Sequence, residues 1–370
     1  MPEEDPVRIA GKYRFSCVTT ELRDTASPVA LFMKERFNLR DIQKQYRTQC
    51  PEIIVPGNLT AGEAAVLGTA ADWQMRFLIH PEPDLHLASL GVMELDVLSG
   101  GIKGGFDQRG LLGQVNEVLR YEGGTGSFTG PVEGSKMEPE TLCRACWGLA
   151  LLTAVFRAGE RAASALEGVE SLMTACPPEG LKQLNMFRQV MEERLLPELS
   201  ARKGRWILGP VFAGSSYMRG DGDLIAADLL LDLKTTKKNT LGGKDMYQII
   251  TYALMDWDDD YGLREFGFFN PRYGHLAVWD IRKLLDDLSG GAVTLDSARA
   301  EFRELLTGSS SKTAPYYYGG PSDGEIAILD PDTGMMTGWS YCGDDLRIQG
   351  SLQAYWKKRR TLEGYTCEPG

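Results

Sequence analysis

The stretch LLLDLKTTKK, residues 229–238, places a carboxylate and an ammonium group in an otherwise apolar run. The leucines around Asp232 predict a buried strand, because short apolar runs are typical of strands covered on both faces. Asp232 and Lys234 lie two positions apart, so in a strand both side chains leave the same face. The simplest alternative is an exposed ion pair at a strand edge. Since burying such a pair without a function destabilises a fold, the stretch predicts a site on a central strand.

The segments around this stretch predict a mixed sheet. WILGPVFAGSSY (206–217) and DGDLIAA (221–227) predict two strands before it, joined by glycine and aspartate turns. REFGFFNPRYGHLAVWDI (264–281) predicts two strands after it, around a turn at Asn270–Gly274. DMYQIITYALMDW (245–257) has the periodicity of a helix. This order favours the α/β class, with a mixed central β-sheet flanked by helices.

The first half of the chain is predicted to be largely helical. NLTAGEAAVLGTAADWQMRFLI (58–79) predicts a buried helix that begins with a capping box of Thr60 and Glu63. Residues 138–175 and 181–199 also read as helices. We therefore predict a mainly helical N-terminal region at 1–180, an α/β core at 181–290 and a helical or irregular C-terminal extension at 291–370.

Composition limits the class of protein. The 370 residues carry a formal net charge of -11, which disfavours a protein that only coats nucleic acid but allows an enzyme with a local basic channel. The N-terminus has no basic start followed by an apolar run, so no signal peptide is expected. The longest apolar segment, at 147–156, is about half the ~20 residues that cross a bilayer. Seven scattered cysteines are typical of a reduced protein, and we predict a cytoplasmic one without a membrane span.

Five polar residues around the central strand form a chemically coherent set. Asp223 begins one predicted strand and Asp232 lies in the next, so two carboxylates on adjacent strands can bind a hard divalent ion such as Mg²⁺ or Mn²⁺. The carbonyl of Leu233 would add a backbone ligand, and Lys234 would stabilise charge on a phosphoryl group. Gln248 and Tyr252 are four residues apart and share one helix face, within reach of a phosphate or base.

GDGDLIAADLLLDLKTTKK followed by QIITY resembles the core of the PD-(D/E)xK nuclease superfamily, in its RecB-like branch. The matching residues are Asp223, then Asp232 to Thr235, then Gln248-x-x-x-Tyr252. The resemblance covers about residues 205–280 and implies a restriction-endonuclease-like core and metal-dependent phosphodiester hydrolysis that leaves a 5′-phosphate. The wider chain, with GTAADWQMRF and YGLREFGFFNPRYGHLAVW, is similar to actinobacterial proteins of this type.

The resemblance also implies a further metal ligand on a helix, a His or Glu in that branch, and the sequence leaves two candidates open. Glu193 lies in a predicted helix just before the first core strand. Asp72 lies in the apolar helix at 58–79, where its alternative role is an ordinary helical salt bridge with Arg76.

Other polar groups have weaker signals. Lys237, Lys238 and Lys244 collect near the site and either contact phosphates or belong to a solvated loop; the same holds for the run KKRR at 357–360. Cys143 and Cys146 form a C-x-x-C in a predicted helix, which favours core cysteines over a metal or iron–sulfur cluster. His80, His86 and His275 lack ligand spacing, and we expect them to be structural or surface residues.

These expectations combine in a hypothesis of function. The chain is predicted to be a divalent-metal-dependent nuclease that hydrolyses single- or double-stranded DNA, in antiphage defence or DNA repair. It has no G-x-x-x-x-G-K-[ST] motif, so any unwinding would come from a helicase or defence-system partner. The alternative is a nuclease fold without catalysis that serves as a nucleic-acid-binding or assembly subunit.

Overall fold

A computed structural model describes most of the chain, and every structural statement below concerns the residues it describes. The glycine-rich segment 99–110, most of 122–134, the loop 310–315 and the basic run 357–360 lie outside them. The described residues are 8–9, 12–13, 15–98, 115, 119, 127–129, 134–163, 166, 169–309, 325–329 and 336–341.

A mixed six-stranded sheet forms the centre of the protein. Its strands lie in the order β3-β4-β5-β6-β7-β8, and only the β6–β7 pair is parallel. The short hairpins β1–β2 and β9–β10 are separate two-stranded sheets. The strands are β1 Arg8–Ile9, β2 Lys12–Tyr13, β3 Ser127–Thr129, β4 Arg205–Leu208, β5 Leu224–Ala226, β6 Leu229–Leu233, β7 Glu265–Asn270, β8 His275–Asp280, β9 Glu325–Leu329 and β10 Met336–Tyr341. The predicted α/β class with a mixed sheet is confirmed.

Helices cover this sheet, and most of the first 200 described residues are helical. A π-helical turn, Met191–Leu195, joins α8 to α9. The helices are α1 Val18–Arg23, α2 Pro28–Arg36, α3 Arg40–Gln49, α4 Ala61–Ile79, α5 His86–Leu98, α6 Pro139–Ala158, α7 Glu160–Ala163, α8 Pro178–Val190, α9 Leu196–Ser200, α10 Gly243–Met255, α11 Ile281–Ser289 and α12 Leu295–Ser309.

The central strand β6 is buried along its whole length, between β5 and β7. Alternate leucines divide between the two faces of the sheet. Leu229, Leu231 and Leu233 belong to the apolar core formed with α4, α6 and α8. Leu230 belongs to the second core, formed with α1 to α3 and α10 to α12. Each buried leucine contributes about 2 kcal/mol through removal of apolar surface from water, so this strand fixes the sheet between its two helical layers.

Helix α4 begins as the sequence predicts. The Thr60 side chain accepts a hydrogen bond from the Glu63 backbone N–H at 3.3 Å, and the Glu63 carboxylate accepts one from the Thr60 N–H at 2.9 Å. This reciprocal capping satisfies two of the backbone donors that a helix start leaves free. It fixes the start of a 19-residue helix that leads to the functional site.

Two predicted elements end earlier than expected. The helix predicted over 138–175 stops at Ala158, because Gly159 adopts a positive φ of 57°. The strand predicted over 206–217 stops at Leu208, since Gly209 has a φ of 64° and Pro210 follows it. A single 3₁₀ turn, Ala213–Ser216, occupies the rest of that segment.

One helix, α6, is long and apolar enough to span a membrane by length and composition alone, and it is the single such helix among the described residues. In the fold, 61% of its apolar window is buried inside the protein. It packs on α4 and α5 as a core helix, which is consistent with a soluble protein.

Candidate active site

Two aspartates lie side by side where strands β5 and β6 meet their neighbouring loops. The antiparallel register pairs Leu224 with Leu231, which places Asp223 opposite Asp232 one step further. Asp223 Oδ2 accepts a hydrogen bond of 2.7 Å from the Leu233 backbone N–H. The structure therefore brings together both strand carboxylates that the sequence singled out, and it ties Leu233 to them through its N–H.

Lys234 links these aspartates to helix α10. Its Nζ atom lies 2.8 Å from Asp232 Oδ2 and 3.6 Å from Asp245 Oδ1, and it donates a hydrogen bond of 3.2 Å to Gln248 Oε1. Gln248 Nε2 in turn donates to the Tyr252 hydroxyl at 2.8 Å. The Tyr252 ring stacks on Phe212, with 5.5 Å between ring centroids. The strand and the helix thus present one connected row of polar groups, and the predicted shared face of Gln248 and Tyr252 is confirmed.

The two strand carboxylates are electrostatically strained. Burial raises the pKa of Asp223 well above its ordinary value, and the negative charges of Asp72 and Asp232 raise it further. Burial also raises the pKa of Asp232, although the Lys234 ammonium opposes this. Three buried carboxylates that repel one another form a site that a cation would stabilise.

Lys234 stays a cation in this environment. Burial alone would lower the pKa of its ammonium group, but the carboxylates of Asp232 and Asp245 outweigh burial and raise the pKa above its ordinary value. Its Nζ atom, 2.8 Å from Asp232 Oδ2, forms an ion pair with that carboxylate. A protonated lysine can orient a water or stabilise an anion, but it cannot accept a proton.

The structure separates the two candidate helix ligands. Asp72, on α4, is 9% exposed, and its charge acts on both Asp223 and Asp232. Glu193 is exposed in the π-helical turn, and its charge is not among those that chiefly shift the pKa of either strand aspartate. Asp72 therefore acts on the cluster, whereas Glu193 is an exposed residue of the π-helical turn.

Asp72 also makes the salt bridge that its sequence spacing allows. Arg76 Nη2 lies 3.0 Å from Asp72 Oδ2, and both groups are buried. Burial would lower the pKa of Arg76, but Asp72 first and then Asp223 raise it above the ordinary value. Arg76 therefore neutralises charge within the same cluster, so the pair belongs to the site instead of to the protein surface.

The chemistry of these donors fits a hard divalent cation, while their present positions do not form a finished metal site. Carboxylate and carbonyl oxygens are the ligands that Mg²⁺ and Mn²⁺ prefer. Among the described residues, no group of three His, Cys, Asp or Glu side chains is arranged to hold a metal ion. The reason is visible at two of the ligands: Asp72 faces Arg76 and Asp232 faces Lys234.

A cleft of about 1430 Å³ leads to this cluster. Asp223, Gln248 and Tyr252 lie in its wall, together with residues of α1, α4 and α6. The cleft is lined by four arginines, Arg23, Arg157, Arg161 and Arg219, and by four carboxylates, Glu63, Glu94, Asp221 and Asp223. Arg157 is paired with Asp221 at 3.4 Å, which holds the guanidinium beside the loop that carries Asp223.

Sequence reasoning missed the side chains that fix the segment after Lys234. Arg272 is 2% exposed and donates from Nε to the Thr235 carbonyl at 2.6 Å. Asn270 donates to the Thr236 carbonyl at 3.0 Å, and the Tyr273 hydroxyl donates to the Lys237 carbonyl. From the sequence, N-P-R-Y-G (270–274) was interpreted only as a turn. Its signal was the arginine and tyrosine within that turn, since such residues are not needed to form one.

Arg272 extends this support to the helical layer. Nη1 donates to the Val55 carbonyl at 3.0 Å, and Nη2 donates to Gln183 Oε1 at 2.9 Å. Burial lowers the pKa of this guanidinium, which has neutral oxygens as its hydrogen-bond partners. A buried cation held in this way fixes three chain segments relative to one another.

The cysteines and histidines take no part in the hydrogen bonds and ion pairs described above. Cys143 and Cys146 are fully buried free thiols on α6, as core cysteines are expected to be. Burial raises the pKa of Cys143 to about 12, so the thiol stays protonated. His86 is 7% exposed, and the His275 ring packs edge-on against Tyr46 at 4.9 Å.

Comparison with known proteins adds no relative. No protein-family model matches the chain, and neither a curated protein nor a solved structure matches it.

Proposed function

We propose that this protein is a divalent-metal-dependent nuclease that hydrolyses phosphodiester bonds in DNA. One observation carries the proposal: Asp72, Asp223 and Asp232 converge beside Lys234, at the wall of an arginine-lined cleft. The resemblance to RecB-like nucleases rests on Asp223, Asp232 and Lys234 among these residues, with Asp72 in place of the His or Glu of that branch, and it points to the same chemistry.

Asp223, Asp232 and Asp72, with the Leu233 carbonyl, would hold Mg²⁺ or Mn²⁺. When bound, such an ion would stabilise negative charge on a phosphoryl oxygen and favour ionisation of a nearby water. The pKa values of Asp223 and Asp232, raised by burial, are consistent with carboxylates that gain stability from a cation.

Lys234 supplies the fixed positive charge of the site. Because its pKa is raised, it remains an ammonium group that donates to the attacking water and to the pentavalent transition state. Asp245 and Gln248 hold it from the side of α10, at 3.6 Å and 3.2 Å respectively. This pre-set orientation lowers the reorganisation that the reaction requires.

Gln248 and Tyr252 would position the nucleic acid. Burial raises the pKa of Tyr252 well above its ordinary value, so its hydroxyl stays a donor at neutral pH. Both side chains reach the cleft wall, where an amide and a phenol can donate to phosphate oxygens or base edges. Arg23 and Arg219 would balance the phosphate charge further along the cleft.

The test is metal-dependent cleavage. Purified protein should cut labelled single- or double-stranded DNA with Mg²⁺ or Mn²⁺ and not with EDTA, and RNA serves as the substrate control. Lys234→Ala should lower the cleavage rate by about 10³-fold, because it removes a preorganised charge from the transition state. Circular dichroism checks that the variant is folded. Equal cleavage by Lys234→Ala, Asp232→Ala and wild type would refute the assignment of the site.

A second function has one observation in its favour. Asp72 and Asp232 are each paired with a cation, and no three metal-binding side chains are arranged together among the described residues. A nuclease fold that binds nucleic acid or assembles with a partner, without cleaving, would keep such pairs. Isothermal titration with Mn²⁺ separates the two: stoichiometric binding that is lost in Asp223→Asn supports the nuclease, and no binding supports the second function.

The biological setting is proposed from the resemblance to RecB-like nucleases. A cytoplasmic DNA nuclease that lacks a P-loop motif would depend on a helicase or defence-system partner for unwinding, which fits antiphage defence or DNA repair.

A further inference from the structure

Two basic stretches that lie about 190 residues apart in the sequence meet on one surface. Helix α3 carries Arg40, Lys44 and Arg47 at positions that share one helix face. The segment between β6 and α10 carries Lys237 and Lys238, and Lys244 lies in the first turn of α10. Gln43 joins the two by donating to the Leu241 carbonyl at 2.8 Å. We call these six cations the basic surface.

All six side chains point toward solvent. Each of the six residues is exposed, and none makes a salt bridge with a described acidic residue. Asp245, in the first turn of α10, accepts a hydrogen bond from the Gly242 N–H at 3.0 Å and lies 3.6 Å from Lys234 Nζ. Asp41 is the one acidic residue within α3, and it is exposed. A protein with a net charge of -11 thus keeps an unneutralised positive surface in one place, which costs self-repulsion unless an anion binds there.

The loop that carries these lysines has a fixed backbone. Asn270, Arg272 and Tyr273 hold the carbonyls of residues 235 to 237, immediately before Lys238. On the other side, Ile42 and Tyr46 bury the opposite face of α3. The lysines and arginines are therefore presented from a rigid base, which lowers the entropy lost when they bind a ligand.

The position of the basic surface determines the kind of ligand it fits. Lys237 is three residues beyond Lys234, and Lys244 is one helical turn before Gln248. Arg40 to Arg47 span about 10 Å along the helix axis at 1.5 Å per residue, close to three nucleotide steps of about 3.4 Å. A substrate that extends beyond the cleft at this end of the site would lie across this surface.

We propose that the basic surface binds the phosphate backbone of DNA outside the scissile position, without reading its sequence. This inference rests on the proposed function for its choice of polymer. A short substrate confined to the cleft would not need the surface. Its role is to hold a long chain, through contacts that carry no base specificity.

The experiment compares matched triple variants by fluorescence anisotropy, with labelled 30-nucleotide single strands and 30-base-pair duplexes in EDTA over a range of salt concentrations. One variant combines Arg40→Gln, Lys44→Gln and Arg47→Gln, and a second combines Lys237→Gln, Lys238→Gln and Lys244→Gln. The control combines Lys182→Gln, Lys203→Gln and Lys283→Gln, three exposed lysines on other elements. All three variants change the net charge equally.

Each basic-surface variant should bind DNA about 10-fold or more weakly at 0.1 M salt and reduce the slope of log K against log salt by about 2 to 3, as expected for three lost phosphate contacts. The control should keep the wild-type slope. Unchanged binding by the α3 variant would overturn the proposal. The proposal would also be overturned if wild type bound phosphatidylserine vesicles and the α3 variant lost this vesicle binding but kept its affinity for DNA.

Failure here is distinguishable from failure of the proposed function. If the protein binds DNA through this surface but cuts no DNA with Mg²⁺ or Mn²⁺, the proposed role of the basic surface stands and the proposed nuclease function is wrong. If wild type cuts DNA and both triple variants bind DNA with wild-type affinity, the proposed nuclease function stands and the proposed role of the basic surface is wrong.

Discussion

Helix α10 contacts two charge clusters that are similar in their ion pairs and differ in what they face. The site cluster comprises Asp72, Arg76, Asp223, Asp232 and Lys234, and it meets α10 at Gln248. The latch cluster lies at the other end of α10 and comprises Asp256, Asp259 and Arg299. Both contain buried aspartates paired with a buried cation.

The latch cluster joins two helices away from the cleft. Arg299 donates to the Ala253 carbonyl at 3.1 Å, to Asp256 at 3.0 Å and to Asp259 at 2.8 Å. These contacts fasten α12 to the end of α10. Asp256 is fully buried, and none of the three side chains lines the cleft. The arrangement is that of a structural ion pair, in which hydrogen bonds offset the loss of hydration.

The site cluster has the same excess of one carboxylate, with three aspartates and two cations, but it differs in position. Asp223 lies in the wall of the cleft. A buried ion pair alone therefore does not indicate function. An excess of buried negative charge beside an accessible cleft does, because it is costly without a ligand.

The strongest test of this comparison exchanges one oxygen for one nitrogen in each cluster. Asp232→Asn should lower DNA cleavage by about 10³-fold, because it removes a charge that acts at the reacting phosphate. Asp256→Asn, the matched change in the latch cluster, should leave the cleavage rate of the folded protein within a few-fold of wild type. Initial rates under saturating Mg²⁺ measure both. Equal losses in the two variants would mean that the clusters do not differ in function.

The next largest effect concerns stability, and here the latch cluster is expected to matter. Arg299→Met should lower the free energy of unfolding by about 3–5 kcal/mol, because Asp256 is left buried without its cation. Urea denaturation followed by circular dichroism measures this change. The cleavage rate, assayed at low temperature where the variant is folded, should remain close to wild type. A variant as stable as wild type would show that the latch cluster contributes little.

The helix-borne acid gives a smaller and more specific test. Asp72→Asn should weaken Mn²⁺ binding and lower cleavage by about 10- to 100-fold, as loss of a group that tunes a metal site does. Glu193→Gln should change neither quantity, since Glu193 is exposed and lies away from the cluster. Isothermal titration and initial rates measure both variants. If Mn²⁺ binding and cleavage fell in Glu193→Gln and not in Asp72→Asn, the assignment of Asp72 as the helix-borne ligand would be wrong.

Five residues of the candidate site could be predicted from the sequence because they lie close together along the chain. Asp223, Asp232, Lys234, Gln248 and Tyr252 lie within 30 residues, and strand and helix periodicity alone place them on shared faces. The structure adds the distances and shows that β6 is central. The run of leucines around Asp232 predicted that position.

The remaining parts depend on contacts that the sequence does not encode locally. Asp72 reaches the cluster from a helix some 150 residues earlier, and its spacing from Arg76 indicates only a salt bridge. Arg272 holds the Thr235 carbonyl from a turn, a role that depends on where three segments pack. The basic surface arises only when α3 packs against the loop before α10. Tertiary packing decides each of these.

The smallest predicted effect is a pH dependence that belongs to the latch cluster. Burial raises the pKa of Asp256 from an ordinary 3.8 to about 6, although Arg299 opposes the shift. Between these values the folded state binds more protons at this residue than the unfolded state does. Its contribution to the free energy of unfolding is therefore fully present below the unfolded pKa and is lost as the pH rises through about 6.

Asp256→Asn removes this titration and isolates it from that of other carboxylates. The free energy of unfolding of wild type minus that of the variant should fall as the pH rises from about 4 to 7, and should be constant above that range. Urea titrations of both proteins at unit pH intervals measure the difference. A difference that does not change with pH would show that Asp256 titrates as an ordinary aspartate. In that case Arg299 alone would neutralise it, and the latch cluster would be more fully balanced than its burial indicates.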